Sequence, residues 1–268
     1  MGLRAAVVGH VEWTTIVEVA RLPAAGEICS TRTVWEGPAG GGAVAAVRIA
    51  ALAGECAFFT RLGEDADGVR ARRRLESHGV RVYAESAAAA TSRALSIIDG
   101  SGERTTLTLG ARLQPGGDDP LPWDELAGFD TVYFTAGDAK TLRRARHARV
   151  LVATLREMST VAQAAVAIDA LVGSSCDPAE RYRPLENPPA LVVWTEGGRG
   201  GSFVRACGQR GRYPAAALPG PPVDTYGVGD NFAASLAIAL AVDPNPAEAL
   251  QAAARDGAAC LATRGPYR

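Results

Sequence analysis

Between residues 130 and 195 the chain alternates short apolar runs with helix-patterned stretches: DTVYFTA, LRRARHA, VLVAT, STVAQAAVA, AIDALVG, PAERY and ALVVWT follow one another. Strands that are apolar on both faces and are separated by crossover helices build a parallel sheet covered on both sides. The opening run LRAAVV, ended by Gly9, reads as a further buried strand entering a loop. A length of 268 residues, at about 150 per domain, corresponds to roughly 1.8 domains. The α/β core therefore has chain to spare.

The spare chain has a different texture. Residues 12–36 (TTIVEV, EICSTRTVW) and 80–110 (VRVYAES, TSRALSIID, ERTTLTLG) carry short polar and β-branched stretches, with Asp99-Gly100-Ser101-Gly102 as a hairpin turn. They predict antiparallel strands that pair with one another outside the main sheet. Helices are expected at AVAAVRIAALA, closed by Gly54, at DADGVRARRRLESHG, at NFAASLAIALA and at PAEALQAAARDGAACLAT.

Charge narrows the function classes. The sum 28 − 29 = −1 supplies neither a basic footprint for nucleic acid nor an acidic tail. Of the 28 basic residues 27 are arginine and one is lysine, Lys140, in the segment GDAKTLRRARHAR. A Walker-A loop, a protein-kinase strand lysine or a pyridoxal amine all require a lysine in another context. The five cysteines (Cys29, Cys56, Cys176, Cys207, Cys260) include no C-x-x-C pair, so reduced thiols are expected in place of a zinc site or disulfide framework. Phe232–Val242 is the longest nearly apolar run, and Ala5–Val8 is too short for a signal-peptide core. The expectation is a cytoplasmic protein with no membrane or nucleic-acid partner.

Three glycine clusters carry the chemistry. Asp224-Thr225-Tyr226-Gly227-Val228-Gly229-Asp230 stands directly before the apolar helix NFAASLAIALA. Its glycines allow a sharp turn, and the free N–H groups of the helix start form an anion site with Asp230 at its mouth. A carboxylate there can take a proton from a hydroxyl while the amides stabilise a transferring phosphoryl group. It can equally be a helix cap on a glycine turn. Upstream, ALVVWT runs into Glu196-Gly197-Gly198-Arg199-Gly200-Gly201, a T-x-G-x-x-G turn that permits backbone approach to phosphates or simply makes a hairpin. Gly37-Pro38-Ala39-Gly40-Gly41-Gly42 opens the helix AVAAVRIAALA, where amides can bind hydroxyls or merely start the helix. No G-x-G-x-x-G dinucleotide fingerprint or G-x-S-x-G elbow is present.

The order of these clusters resembles the ribokinase-like (PfkB-type) carbohydrate kinases. FTRLGEDADG with LESHGVRV is similar to that family's V-G-x-D-x-x-G and L-x-x-x-G-V segment, TSRALSIIDGSGERTTLTLGA to its lid strands, and DTYGVGDNF to its second signature. The resemblance spans nearly the whole chain. It implies a three-layer α/β sandwich with a mostly parallel central sheet, a small β lid from residues 12–36 and 80–110, and one domain over 1–268. By the resemblance, Asp230 is the general base and Gly227, Val228 and Gly229 form the anion hole. Thr195, Gly197, Gly200 and Thr225 would hold ATP, and Mg²⁺ would bridge the phosphates largely through water. A monovalent cation such as K⁺ would sit near Asp224. A small-molecule hydroxyl compound is the implied partner, with a homodimer through the exposed lid edge.

Departures fall on the substrate side. Where the family reads G-x-x-N-x-D, Gly9-His10-Val11-Glu12-Trp13-Thr14 places Glu12 and Thr14 at the two polar positions, beside Gly40 and Gly41, and Ala43 replaces the first signature's Asn. The N-x-x-E motif is Ser174-Ser175-Cys176-Asp177. Three readings follow: an ATP-dependent kinase of a sugar, nucleoside or related compound; an impaired relative that binds nucleotide or metabolite as a sensor; and another α/β enzyme whose glycine turns are structural.

Overall fold

The fold is given by a computed structural model, which describes residues 2–267. Numbered along the chain, the strands are β1 (Ala5–Val8), β2 (Glu12–Glu18), β3 (Thr33–Ala39), β4 (Cys56–Gly63), β5 (Val80–Ala87), β6 (Arg93–Ile98) and β7 (Arg104–Leu109). They continue as β8 (Thr131–Phe134), β9 (Val150–Thr154), β10 (Ala170–Ser174), β11 (Leu191–Thr195), β12 (Gly201–Arg205) and β13 (Arg210–Tyr213). The helices are α1 (Gly40–Ala53), α2 (Ala66–Glu76), α3 (Ala139–Ala145), α4 (Met158–Ala164), α5 (Val228–Val242) and α6 (Pro246–Leu261).

The central sheet has nine strands in the order β13-β12-β11-β10-β9-β8-β1-β4-β5, parallel except at β12 and β13. The period of a strand explains why its inner members are apolar throughout. Ala5 and Val7 of β1 enter the core under α1, α2, α5 and α6, while Ala6 and Val8 enter the core under α3 and α4. Phe58 and Phe59 of β4 are divided in the same way, and both are fully buried. Truncating either to alanine costs about 3–5 kcal/mol. This is the expected three-layer architecture.

A second sheet of four strands, β3-β2-β6-β7, forms the lid, with β2 parallel to β6 and the outer pairs antiparallel. Its two sides differ. Ile16, Ala94, Ser96 and Ile98 are buried toward the main body, whereas Val34, Leu107 and Leu109 are exposed. Residues 80–87 were expected in the lid but form β5, the edge strand parallel to β4. An edge strand with one covered face shows the same alternation as a lid strand, so the pattern VRVYAESA does not separate the two. The lid's second segment accordingly starts at Arg93. PAERY, expected as a helix, lies in a stretch without regular structure between β10 and β11. Pro178, Pro184, Pro188 and Pro189 crowd that stretch, and each removes a donor and restricts the residue before it.

The lid is fastened to the body at Asp65. Its carboxylate caps α2 by accepting the Gly68 N–H at 2.8 Å, and it also accepts the Thr91 N–H at 2.8 Å and the Thr91 hydroxyl at 2.7 Å. Burial opposes ionisation there, but these bonds prevail and hold the carboxyl below its ordinary range. Side chains at Gly63 and Gly68 would meet the Thr91 N and the Gly63 carbonyl at 2.4 and 2.3 Å, so both positions must be glycine. We expect Asp65→Ala to lower stability by about 1–2 kcal/mol at pH 7 in urea unfolding. A depressed pKa adds stability above the unfolded value that is lost as pH falls through the folded one. The difference between variant and wild type should therefore shrink below about pH 4.

Candidate active site

In parallel sheets ligands bind outside the carboxyl ends of the strands. Six of the expected segments meet there: Gly9 after β1, the start of β2, the start of α1, Ser174–Asp177 after β10, the turn after β11, and the start of α5.

The α5 start is built by Gly227, whose φ of +78° is left-handed and whose missing side chain would stand 3.0 Å from Val44 and 3.1 Å from Pro266. The Asn231 N–H makes the first intrahelical bond, to the Gly227 carbonyl at 2.9 Å, leaving the Val228, Gly229 and Asp230 amides without intrahelical partners. Nothing lies within 4 Å of where a Gly229 side chain would stand. This end of the helix is thus open to a ligand and carries the positive pole of its dipole.

Asp230 is half-buried at the bottom of the cleft, and its carboxylate has no hydrogen-bond partner among the described residues. Desolvation raises its pKa to about 6, opposed by Arg104 and Arg156 and reinforced by Glu180 and Glu12. Its Oδ1 lies 2.9 Å from where a side chain at Gly41 would begin. The glycine start of α1 therefore leaves room for this carboxylate.

Two expected roles are altered by the geometry. The Thr14 side chain is fully buried, its hydroxyl donating to the Glu12 carbonyl at 3.4 Å and lying beside the Tyr226 hydroxyl. Ala43 is fully buried in the core on the inner side of α1. Glu12, by contrast, is buried with Oε1 lacking a hydrogen bond, 3.7 Å from the Arg112 Nε. Burial raises its pKa, with Arg112 opposing.

On the phosphate side, Gly197 and Gly200 adopt φ of +58° and +80°, as a tight turn after β11 requires. No atom lies within 4 Å of a side chain built at Gly197 or Gly198, whereas one at Gly200 would strike the Tyr213 carbonyl at 2.1 Å. Thr195 donates weakly to the Gly173 carbonyl at 3.5 Å. Asp177 binds Arg156 at 2.5 Å, and the same guanidinium holds Glu180 at 2.6 Å. The Ser174 N–H donates to Glu180 at 2.6 Å, so Glu180, three residues past the expected acid, faces the cleft as well.

Asp224 is a brace: one carboxylate oxygen accepts the Tyr226 N–H at 2.7 Å and the other the Gly265 N–H at 2.9 Å. Thr225, expected at the nucleotide, donates to the Gly102 carbonyl of the lid hairpin at 3.1 Å. The Tyr226 hydroxyl accepts the Gly40 N–H at 3.2 Å, and Arg104 lies 5.1 Å over the Tyr226 ring. The lid, the α1 start and the α5 loop are therefore joined to one another.

Among the described residues no group of three or more His, Cys, Asp or Glu could hold a metal ion. Asp177 and Glu180, each fixed by Arg156, fit an ion carried in on phosphates and met through its water shell. Each Asp224 oxygen accepts one amide N–H and keeps further acceptor capacity.

Thr135, Arg104, Arg112, Arg156 and Glu180 are not singled out by the sequence as cleft residues, and His10 is open there between a structural and a functional role. The one available signal was Arg104, in the lid segment Gly102-Glu103-Arg104-Thr105: its pairing with Ile98 places it on the site-facing side of the lid.

Comparison with known proteins agrees with this geometry. The model of the pfkB family carbohydrate kinases matches residues 3–187 and 129–268, and the chain belongs to that family. It is thus a phosphotransferase with an alcohol acceptor. The chain is 27% identical to an ATP-dependent ribose-1-phosphate kinase of Halopiger xanaduensis, over 96% of this chain and 91% of that protein. The ribokinase of Arabidopsis thaliana, solved with ribose and ATP, superposes with a TM-score of 0.78 at 21% identity, over 99% and 94% of the two chains. An adenosine kinase from Sinorhizobium meliloti gives 0.79 at 18% identity, over 100% and 96%. No helix among the described residues is long and apolar enough to cross a membrane.

Proposed function

We propose that this chain transfers the γ-phosphoryl group of ATP to a hydroxyl of a pentose that already carries a phosphate, with Asp230 as the base. The observation that carries the assignment of the base is the desolvated Asp230 carboxylate at the open start of α5. It takes the acceptor's proton, while the 228–230 amides meet the charge on the phosphoryl group. The Thr195, Gly197 and Gly200 turn borders the nucleotide phosphates, and Mg²⁺ bound with ATP supplies charge neutralisation. The lid covers the acceptor and keeps water from competing as nucleophile.

Two arginines support an anionic acceptor. Arg104, on the site-facing side of the lid, has no carboxylate within ion-pair distance among the described residues, and Arg112 has only the loose contact with Glu12. A planar guanidinium suits bidentate capture of phosphate. The relative acting on ribose 1-phosphate favours the same class.

The test is ADP release from MgATP with ribose 1-phosphate, ribose and adenosine. We expect the phosphorylated sugar to exceed ribose by about tenfold or more in kcat/KM, and Arg104→Gln to remove most of that preference. Preference for a neutral acceptor would refute the anionic class, and retained ATP binding with no turnover on any acceptor would favour a sensor.

The outer lid face also points to a second copy of the chain. Val34, Leu107 and Leu109 are 59%, 47% and 49% exposed on it, and β7 leaves an unpaired edge. Leu107→Lys together with Leu109→Lys should convert a dimer to a monomer in light scattering; a wild type that is monomeric at tens of micromolar removes this assembly.

A further inference from the structure

Between β10 and β11 the chain forms no helix, and residues 175–190 run irregularly past the outer strands of the central sheet. On the face that α3 and α4 cover further in, β11, β12 and β13 border instead a groove of about 760 Å³, walled by Tyr182 and the Pro188-Pro189 pair. Small-molecule sites have volumes of about 300–1,000 Å³.

Strand register lays out the floor. Val192 and Trp194 of β11 stand opposite Val204 and Ser202 of β12, which stand opposite Arg210 and Arg212 of β13. Two cross-strand rows result, Val192-Val204-Arg210 and Trp194-Ser202-Arg212, each apolar or aromatic at β11 and cationic at the sheet edge. The Tyr182 and Trp194 ring centroids are 6.5 Å apart with their planes at 79°. Two strand spacings, roughly 9.5 Å, separate the aromatic end from the cationic rim.

The rim charge is largely uncompensated. Three arginines line the groove and no acidic residue does, in a chain of net charge −1. Arg205 donates to the Gln209 Oε1 at 3.2 Å, and neither it nor Arg210 has an ion pair among the described residues. Arg212 donates to both Glu196 carboxylate oxygens, at 3.2 and 2.7 Å. Glu196 in turn belongs to the turn after β11, where its N–H donates to the Gly200 carbonyl at 2.7 Å.

This layout selects the ligand. The rim repels an ammonium group, a neutral ring leaves the guanidinium groups without a counter-charge, and a bare inorganic anion leaves the aromatic floor in water. A second copy docked edge to edge would set its own Arg210 and Arg212 against these. A planar ring that carries a phosphate or carboxylate meets both halves, with the ring on Trp194, Tyr182 and Val204 and the anion between Arg210 and Arg212. We propose that the groove binds such an aromatic anion, and that the bound anion competes with Glu196 for Arg212. Once released, Glu196 leaves its negative charge beside the turn assigned to the ATP phosphates. Occupancy of the groove therefore weakens nucleotide binding, and nucleotide weakens the anion by the same factor. The coupling rests on the kinase reading above, and the binding does not.

The test is a set of calorimetric titrations with AMP and indole-3-acetate, a phosphate- and a carboxylate-bearing ring, beside adenosine and indole, their uncharged counterparts. At least one anion should bind with a Kd below about 1 mM and its uncharged counterpart about tenfold more weakly. Arg210→Glu and Trp194→Leu should each weaken the anion by about tenfold or more, and Arg210→Glu should leave the affinity for a non-hydrolysable ATP analogue unchanged. Saturating anion should raise the Kd of that analogue severalfold and then level off, as direct competition for one site would not. Glu196→Gln should remove this effect while the anion still binds. The inference is overturned if neither anion binds, if charged and uncharged rings bind alike, or if Arg210→Glu binds the anion as wild type does. It falls equally if Arg210→Glu dissociates a wild-type dimer in light scattering, which would give the groove to a second copy. An analogue affinity that the anion leaves unchanged overturns the coupling. Anion binding in a protein that takes up no ATP analogue would sink the kinase reading and leave the groove standing.

Discussion

Asp230→Asn should reduce kcat by about 10²–10⁴-fold while leaving ATP affinity nearly unchanged. On the proposed assignment the substitution keeps shape and removes the proton acceptor, and ATP would meet mainly amides and the turn after β11. The pH profile supplies a second signature. Because desolvation lifts the Asp230 carboxyl to about 6, the wild-type rate should fall below that pH as the base stays protonated, and level off above it. Stability runs the other way. A raised pKa favours the folded state at low pH, and that contribution is lost as pH rises through the folded value. At pH 7 the ionised carboxylate is thus a cost of at most about 3 kcal/mol by the shift between 3.8 and about 6, less because the half-buried group is partly screened by solvent. Asp230→Asn should accordingly melt a few degrees higher than wild type at pH 7, with little difference at pH 4. An inactive variant that is also less stable at pH 7 would argue for a structural Asp230 instead.

Gly41→Ala is expected to have the next largest effect, about 10²-fold in kcat/KM. Gly41 is not in the left-handed region, so the backbone accepts alanine, and in a helix alanine is favoured over glycine by about 0.5–1 kcal/mol. The new methyl would stand 2.9 Å from Asp230 Oδ1, which must move. A displaced base fails at proton removal without losing nucleotide, so binding of a non-hydrolysable ATP analogue should persist while turnover collapses. If Gly41→Ala retains wild-type kcat/KM, the carboxylate does not act from the position seen here.

Local chemistry made part of this legible. Gly227 must be glycine because the turn into α5 is left-handed, and a glycine turn followed by an apolar helix is visible in any sequence that needs it. The parallel sheet was equally plain from strands such as VLVAT, apolar on both faces. What stayed hidden was pairing over distance. Thr14 and Glu12 stand two apart on β2 and so share a face, yet the Thr14 hydroxyl is fully enclosed beside the Tyr226 hydroxyl whereas Glu12 keeps a carboxylate oxygen without a hydrogen bond. Glu180 escaped notice because its role depends on Arg156, 24 residues away, and on the Ser174 amide.

The cleft's cations have a practical consequence. Arg104, Arg112 and Arg156 supply its positive charge, while the chain's lone lysine, Lys140, is paired with Asp118. Acylation of amines, by an acetyltransferase or by an activated ester on a surface, has no lysine to capture among the groups that meet phosphate. The protein should tolerate amine-directed immobilisation or labelling with its turnover intact, whereas a dicarbonyl reagent that condenses with guanidinium groups should silence it, and saturating nucleotide and acceptor should slow that loss.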